Sequence, residues 1–300
     1  MMGTRTWRWR LAALAGLLLA ALPQLASAAG RPAAAARPTY YLALGDSLAT
    51  GYQPGFTSRQ FPVPGCGFAG GYACDLYSAL ETQNPTLQAV NLSCPGETTT
   101  SMLTGAGSPC YVHGPSQLQR AARFLQAHHG QVALVTLDIG ANNVDGCVSS
   151  SGVNPTCVGD GLYAVQEQLP VILAVLSHAA GPGVPIVGMN YYDPFLAAYL
   201  LGTSAGVALA YQSEGLTVLF NRLLGGIYGA FGDPVADVQS TFETTVFTSY
   251  GGTDIPTNVV IICQWTWMCT EHPNIHANNT GYAAIAGSFE LVPVVASLLR

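Results

Sequence analysis

The sequence predicts an α/β domain, a five-stranded parallel sheet covered by helices on both faces in a three-layer α/β/α sandwich. Two observations carry this. Five short runs, YYLAL (40–44), LQAVNL (87–92), VALVTLDI (132–139), VPIVGMN (184–190) and NVVIIC (258–263), are almost unbrokenly apolar, as strands buried on both faces are. Stretches with helical spacing separate or follow them at 71–83, 116–130, 160–181, about 195–231 and about 280–299. Connections of that length imply parallel neighbours joined by right-handed crossovers.

Taken in order, the chain begins with MMGTRTWRWR and LAALAGLLLAALPQLASAAG, an Arg-bearing start, an apolar stretch and a small-residue cleavage site at Ala26-Ser27-Ala28. The apolar stretch falls short of the roughly 20 residues that span a bilayer, and Pro23 interrupts it. A signal peptide over 1–28 is therefore expected, and with it secretion. Residues 29–38, AGRPAAAARP, read as a flexible spacer, and the domain as 39–300. Gly130 stops the helix at 116–130, and Pro194 opens the long helical stretch that follows the fourth run.

Charged residues make up 9% of the chain, hydrophobic ones 49%, and all ten basic residues are arginine. Removal of 1–28 leaves seven arginines against 16 carboxylates, a net charge of −9. Such a balance excludes nucleic acid and anionic membrane surfaces as partners, since phosphate binding needs clustered positive charge. The eight cysteines, Cys66, Cys74, Cys94, Cys110, Cys147, Cys157, Cys263 and Cys269, fit an exported chain with four disulfides. Pairing of neighbours along the chain is the simplest of the 105 arrangements. None has zinc-finger spacing with histidine, and no HExxH or phosphate-binding loop is visible, so neither metal nor cofactor is expected. Asn91-Leu92-Ser93 and Asn278-Asn279-Thr280 match the glycosylation pattern by coincidence.

Ligand sites in such sheets lie beyond the carboxyl ends of the strands. Gly45-Asp46-Ser47 follows the first run, a segment with Gly96 the second, Gly140-Ala141-Asn142-Asn143 the third, and CQWTWMCTEHPNIHANNTGY closes the fifth. A serine hydrolase needs a hydroxyl, a base and donors aimed at the oxyanion. Ser47, His276 and the pair Gly96 and Asn142 supply these parts, Ser47 also offering its backbone N–H. Singly, each reads as a helix cap, a turn or a surface histidine. Together, at successive strand ends, they read as a site.

GDSLATGY, the Gly96 turn, GANN and HANNTGY, in that order, resemble the sequence blocks of the SGNH (GDSL) hydrolases, a family of esterases, lipases and acyl hydrolases with a flavodoxin-like α/β/α fold. The resemblance spans nearly all of 40–299. It implies Ser47 as nucleophile, His276 as base, and an oxyanion hole from Ser47, Gly96 and Asn142. It also implies an ester or lipid substrate; a monomer without stable membrane insertion is expected.

His272-Pro273-Asn274 carries the family's His-Pro-Asn triplet, but its Gly-Tyr pair lies five and six residues after the histidine, which selects His276 through Gly281-Tyr282. Three residues before His276, where the family usually has an acid, stands Pro273. Glu271 could then reach in to orient the imidazole, or a backbone carbonyl could accept its Nδ1 hydrogen; a Ser–His dyad, without the acid, is expected. Asn143 replaces the family's frequent Asp and should alter loop anchoring. A competing motif, GTSAG at 202–206, would make Ser204 a nucleophile, with His113-Gly114 and Asp233 or Asp237 as partners, but an elbow needs a strand directly before it. An inactive lipid- or carbohydrate-binding protein on the same fold is the alternative outside catalysis. His113, His128, His129 and His178 have no partner motif. The uncharged segment 194–213 suits a pocket wall, and an acyl chain, better than a membrane helix.

Overall fold

The computed structural model describes residues 40–55, 65–149 and 151–300. The expected leader and spacer over 1–38 lie outside them. In chain order the strands are β1 (Tyr40–Gly45), β2 (Gln88–Asn91), β3 (Val132–Asp138), β4 (Val148–Ser149), β5 (Gly152–Val153), β6 (Ile186–Met189), β7 (Val235–Ala236), β8 (Thr266–Trp267) and β9 (Asn274–Ala277). The helices are α1 (Ser47–Thr50), α2 (Tyr72–Gln83), α3 (Thr99–Thr104), α4 (Gln117–Ala127), α5 (Pro155–Ala180), α6 (Ser204–Phe231), α7 (Val238–Thr241), α8 (Thr257–Trp265), α9 (Asn279–Glu290) and α10 (Pro293–Leu298).

One five-stranded sheet runs β2-β1-β3-β6-β7, every pair parallel. Leu42 of β1 stands beside Val90 on one side and Val135 on the other, and Val135 in turn beside Ile186. Successive side chains of a strand point to opposite faces. Tyr41, Leu42, Ala43 and Leu44 are nonetheless all buried, as are Leu134, Val135, Leu137, Ile186 and Val187. Both faces are therefore covered, which explains the unbroken apolar runs. On one contact between covering helices, Tyr72 of α2 stacks on Phe289 of α9 with ring centroids 5.0 Å apart.

The fifth strand is not the one expected. NVVIIC lies in helix α8, and the sheet is completed by the two-residue β7. A short apolar run does not by itself distinguish strand from buried helix. Here Pro256 opens the helix, Asn258, Val259, Ile261 and Ile262 are buried, and Gln264 is exposed. The Asn258 amide also donates to Thr244 O at 2.9 Å, a packing contact no propensity encodes. The expected continuous helix over 195–231 is likewise two pieces, a 3₁₀ helix over Pro194–Leu201 and α6, broken at Gly202 with φ +65°.

The disulfides join Cys66–Cys74, Cys94–Cys110, Cys147–Cys157 and Cys263–Cys269, each pairing neighbours in sequence as expected. No helix among the described residues is long and apolar enough to cross a membrane.

Candidate active site

Ser47 opens the single-turn helix α1 directly after β1. The turn between them has room for glycine alone: Gly45 has φ +129°, and a Cβ there would lie 2.0 Å from Asp138 O. Asp46 caps the turn by accepting from Leu48 N at 3.0 Å. Asp138, at the end of β3, takes Asp46 N on its backbone oxygen at 3.1 Å, Ala49 N on Oδ2 at 3.0 Å and the Tyr72 hydroxyl on Oδ1 at 3.0 Å. Gln117 grips Gly45 from the other side, accepting from its N at 2.7 Å and donating to its O at 2.9 Å. Sequence reasoning singled out neither Asp138 nor Gln117, although a buried carboxylate and a buried amide in otherwise apolar surroundings are the signals that could have found them. Burial drives the carboxyls of Asp46 and Asp138 both above the ordinary range, and the charge of Asp46 adds to the effect on Asp138.

Asn91, at the end of β2, ties α1 to the Cys66 loop by donating to Ala49 O and Cys66 O, both at 2.7 Å. The chain then turns at Gly96, φ +80°, with Glu97 N donating to Cys94 O at 3.1 Å and Cys94 N to Gly45 O at 3.0 Å. Asn142, on the 3₁₀ turn Ala141–Asn143 after β3, donates from Nδ2 to Glu97 O at 3.0 Å. Among the described residues its second amide hydrogen has no such acceptor. Asn143 accepts from Thr99 N and donates to Thr99 Oγ1, both at 3.0 Å. The departure from Asp at this position therefore serves as a staple between the Asn142 loop and the start of α3.

His276 sits on β9, which pairs antiparallel with β8 rather than extending the main sheet. Its Nδ1 lies 2.5 Å from Asn274 Oδ1, and that oxygen also accepts from His276 N at 3.1 Å. The orienting group is thus neither Glu271, which is exposed, nor a backbone carbonyl. Because an amide oxygen only accepts, Nδ1 carries the hydrogen and Nε2 keeps its lone pair. The imidazole packs at 4.6 Å between centroids on Tyr52, and burial pushes its pKa down to about 4.

The His276 ribbon is tied to the Ser47 segment by two further residues. Gln53 donates to Asn279 Oδ1 at 2.6 Å and accepts from Trp267 Nε1 at 3.2 Å. Tyr282 donates to Tyr52 O at 2.7 Å, so the Gly-Tyr spacing that selected His276 corresponds to a bond onto the strand-end segment of Ser47.

Ser47, Asn142 and His276 line one cavity of ≈ 60 Å³, together with Leu48, Phe195 and Phe220 among others. Gly96 is not in its lining, but adjoins Glu97, whose carbonyl holds Asn142. Ser204 lies exposed at the start of α6, follows a 3₁₀ helix rather than a strand, and does not line the cavity. His272 is exposed too. Pro194, Phe195 and Ser213 bring both ends of the uncharged segment into the cavity wall. Among the described residues no group of three or more His, Cys, Asp or Glu is arranged to hold a metal. The two sequon asparagines have structural duties: Asn91 is buried, and Asn278 caps α9 by accepting from Thr280 N at 3.0 Å and Gly281 N at 3.1 Å.

The model of the GDSL-like lipase/acylhydrolase family matches residues 43–284. A GDSL-like lipase candidate from Parabacteroides merdae has a similar structure, with TM-score 0.54 and 12% identity over 87% of this chain and 97% of that one. An extracellular lipase from Streptomyces rimosus gives 0.50 and 19% over 83% and 99%. A catalytic mutant of an acetylxylan esterase from Geobacillus stearothermophilus gives 0.50 and 15% over 84% and 92%. At these identities the likeness is one of fold. A search of curated proteins gives no match.

Proposed function

Given that the chain belongs to the GDSL-like lipase/acylhydrolase family, we propose that it is an exported, monomeric serine ester hydrolase working through an acyl-enzyme on Ser47. The observation that carries this is the meeting of Ser47, Asn142 and His276 on the wall of one cavity, although they come from three separate segments of the chain.

In this reading Ser47 Oγ attacks the ester carbonyl while His276 Nε2 takes its proton. The tautomer suits the task, because Asn274 occupies Nδ1–H. The carbonyl oxygen, now anionic, meets the Ser47 N–H, the Gly96 N–H and the free hydrogen of Asn142, each such donor contributing roughly 3–4 kcal/mol in comparable sites. His276 then returns the proton to the leaving alkoxide. It activates a water in the second half of the reaction, which releases the acid and restores the serine hydroxyl. No cofactor takes part in these steps.

A cavity of ≈ 60 Å³ is small beside ligand pockets of about 300–1,000 Å³, which favours a short enclosed arm over a long fatty chain. The four disulfides support export. The test is to treat the protein with a fluorophosphonate and to assay p-nitrophenyl esters from acetate to palmitate. Expected are an adduct on Ser47, activity lost in Ser47→Ala but kept in Ser204→Ala, and rates falling steeply beyond butyrate. Absence of an adduct, or activity surviving Ser47→Ala, refutes the assignment and favours a binding protein.

A further inference from the structure

The cavity wall holds polar groups that the proposed chemistry does not use. Asp46 is 1% exposed and its Oδ1 caps α1, yet its Oδ2 has no hydrogen-bond partner. Tyr191 is 5% exposed, and its buried hydroxyl has no partner at hydrogen-bonding geometry, although it lies near enough to the Asp46 carboxyl to lower that group's pKa. Asp145, half-buried three residues after Asn142 on the next 3₁₀ turn, lines the same cavity. Neither arginine nor lysine lines the cavity. Most of the remaining wall is apolar, with Leu48, Val144, Phe195, Leu216 and Phe220.

Buried polar atoms are nearly always paired, and each exception asks for a reason. Here two, Asp46 Oδ2 and the Tyr191 hydroxyl, stand on one small cavity beside the nucleophile, with the Asp145 carboxyl on the same wall. Resting on the ester-hydrolase reading above, the geometry points to a polar socket formed by Asp46, Asp145 and Tyr191 that receives a hydrogen-bond donor, a hydroxyl or an ammonium, carried on the short enclosed arm of the ester.

The donor sense follows from the chemistry of the three groups. Carboxylate oxygens only accept, whereas the Tyr191 hydroxyl both donates and accepts. A substrate hydroxyl is satisfied on both sides, giving its hydrogen to a carboxylate and receiving one from Tyr191. An ammonium finds acceptors and negative charge without a competing protein cation. An arm bearing only acceptors finds one donor among two acids, and an anionic arm is repelled. A plain alkyl arm leaves the socket unpaired, as a site built to bond a hydroxyl is left by an analogue that lacks it. Burial, with the charges of Asp46 and Asp193 adding to it, pushes Asp145 up to about 8, so the preference for a donor is fully expressed above that pH, where its carboxyl is ionised.

The experiment uses p-nitrophenyl butyrate, 3-hydroxybutyrate and 3-aminobutyrate, whose bulky leaving group forces the acyl arm into the cavity. Each kcat/KM is divided by the ester's rate with hydroxide, to remove intrinsic reactivity. A donor-bearing ester should exceed butyrate by about tenfold or more, the hydroxy and amino arms showing which donor is preferred. Tyr191→Phe, which removes only the hydroxyl, and Asp145→Asn should each bring that ratio towards one. A ratio at or below one in the unmodified protein, or one that both variants leave unmoved, overturns the socket while leaving the esterase reading intact. Hydrolysis of none of the three esters overturns the esterase reading itself, and the socket with it.

Discussion

His276 Nδ1 meets the amide oxygen of Asn274 at 2.5 Å, an arrangement that fixes the imidazole without placing a negative charge beside it. A carboxylate in that position would stabilise the imidazolium, whereas here burial alone acts and lowers the pKa to about 4. Under the proposed mechanism the neutral form is the base, so activity is lost only as pH falls through about 4. The acid limb of kcat/KM should lie there rather than near 6.5, the ordinary histidine value. Asn274→Asp should move that limb up by about 1–3 units, and Asn274→Ala should lower kcat by about 10²-fold through loss of orientation. A limb that stays in place in Asn274→Asp would show that the contact does not govern the base.

Asp138 holds the turn that carries Ser47. Asp138→Ala would strand Ala49 N and the Tyr72 hydroxyl, its partners at 3.0 Å. Each buried orphan costs roughly 1–3 kcal/mol, so urea unfolding should show a loss of about 2–6 kcal/mol by the same rule. Asp138→Asn keeps one acceptor and adds a donor facing Asp46, and should lose less than half as much. Equal losses in the two variants would mean that charge rather than hydrogen bonding sets the role of Asp138.

How far the site was legible depends on how each residue earns its place. Ser47, Gly96, Asn142 and His276 stand in motif blocks beyond apolar runs, where the parallel fold makes residue type informative. Asn274 escaped because an acid was sought three residues before His276, while an amide two residues before it fills the role. Gln117, Gln53 and Asp138 act by bonds across 66 to 226 residues of chain, and no local pattern records such pairs. The fold itself was read from the first four strands. β7 has only two residues, too few for periodicity to show, and the richer apolar run at 258–263 drew the assignment instead.

Stability should fall as pH rises from about 5 to 8. Burial raises Asp233 to about 6, Asp193 to about 7 and Asp145 to about 8, and it raises Asp46 and Asp138 as well. Each such group holds its proton more tightly folded than unfolded, so its contribution is complete below the unfolded value of about 3.9 and is lost as pH climbs through the folded one. His276 has the opposite sign: its folded pKa of about 4 lies below the unfolded 6.5, so it favours folding as pH rises between those values and is indifferent above them. Five carboxyls outweigh one imidazole. The urea midpoint at pH 5 should therefore exceed that at pH 8, and a midpoint that rises across this interval would contradict the direction of the carboxyl shifts.

The Cys94–Cys110 bridge closes a loop with a sequence separation of 16 around the turn that presents Gly96. Cys94 also bonds to Gly45 O through its backbone N at 3.0 Å, and its own carbonyl accepts from Glu97 N at 3.1 Å. The bridge therefore stands between the Ser47 turn and the proposed oxyanion donor. Replacing both cysteines with alanine should cost about 3 kcal/mol of stability in the loop-entropy model. If Gly96 N–H acts mainly on the developing oxyanion, looser placement should lower kcat and kcat/KM together while KM changes little. Steady-state kinetics on a short p-nitrophenyl ester, run well below the variant's Tm, distinguish the two effects. Lost stability with unchanged kcat would show that backbone bonds alone keep the Gly96 turn in register with Ser47.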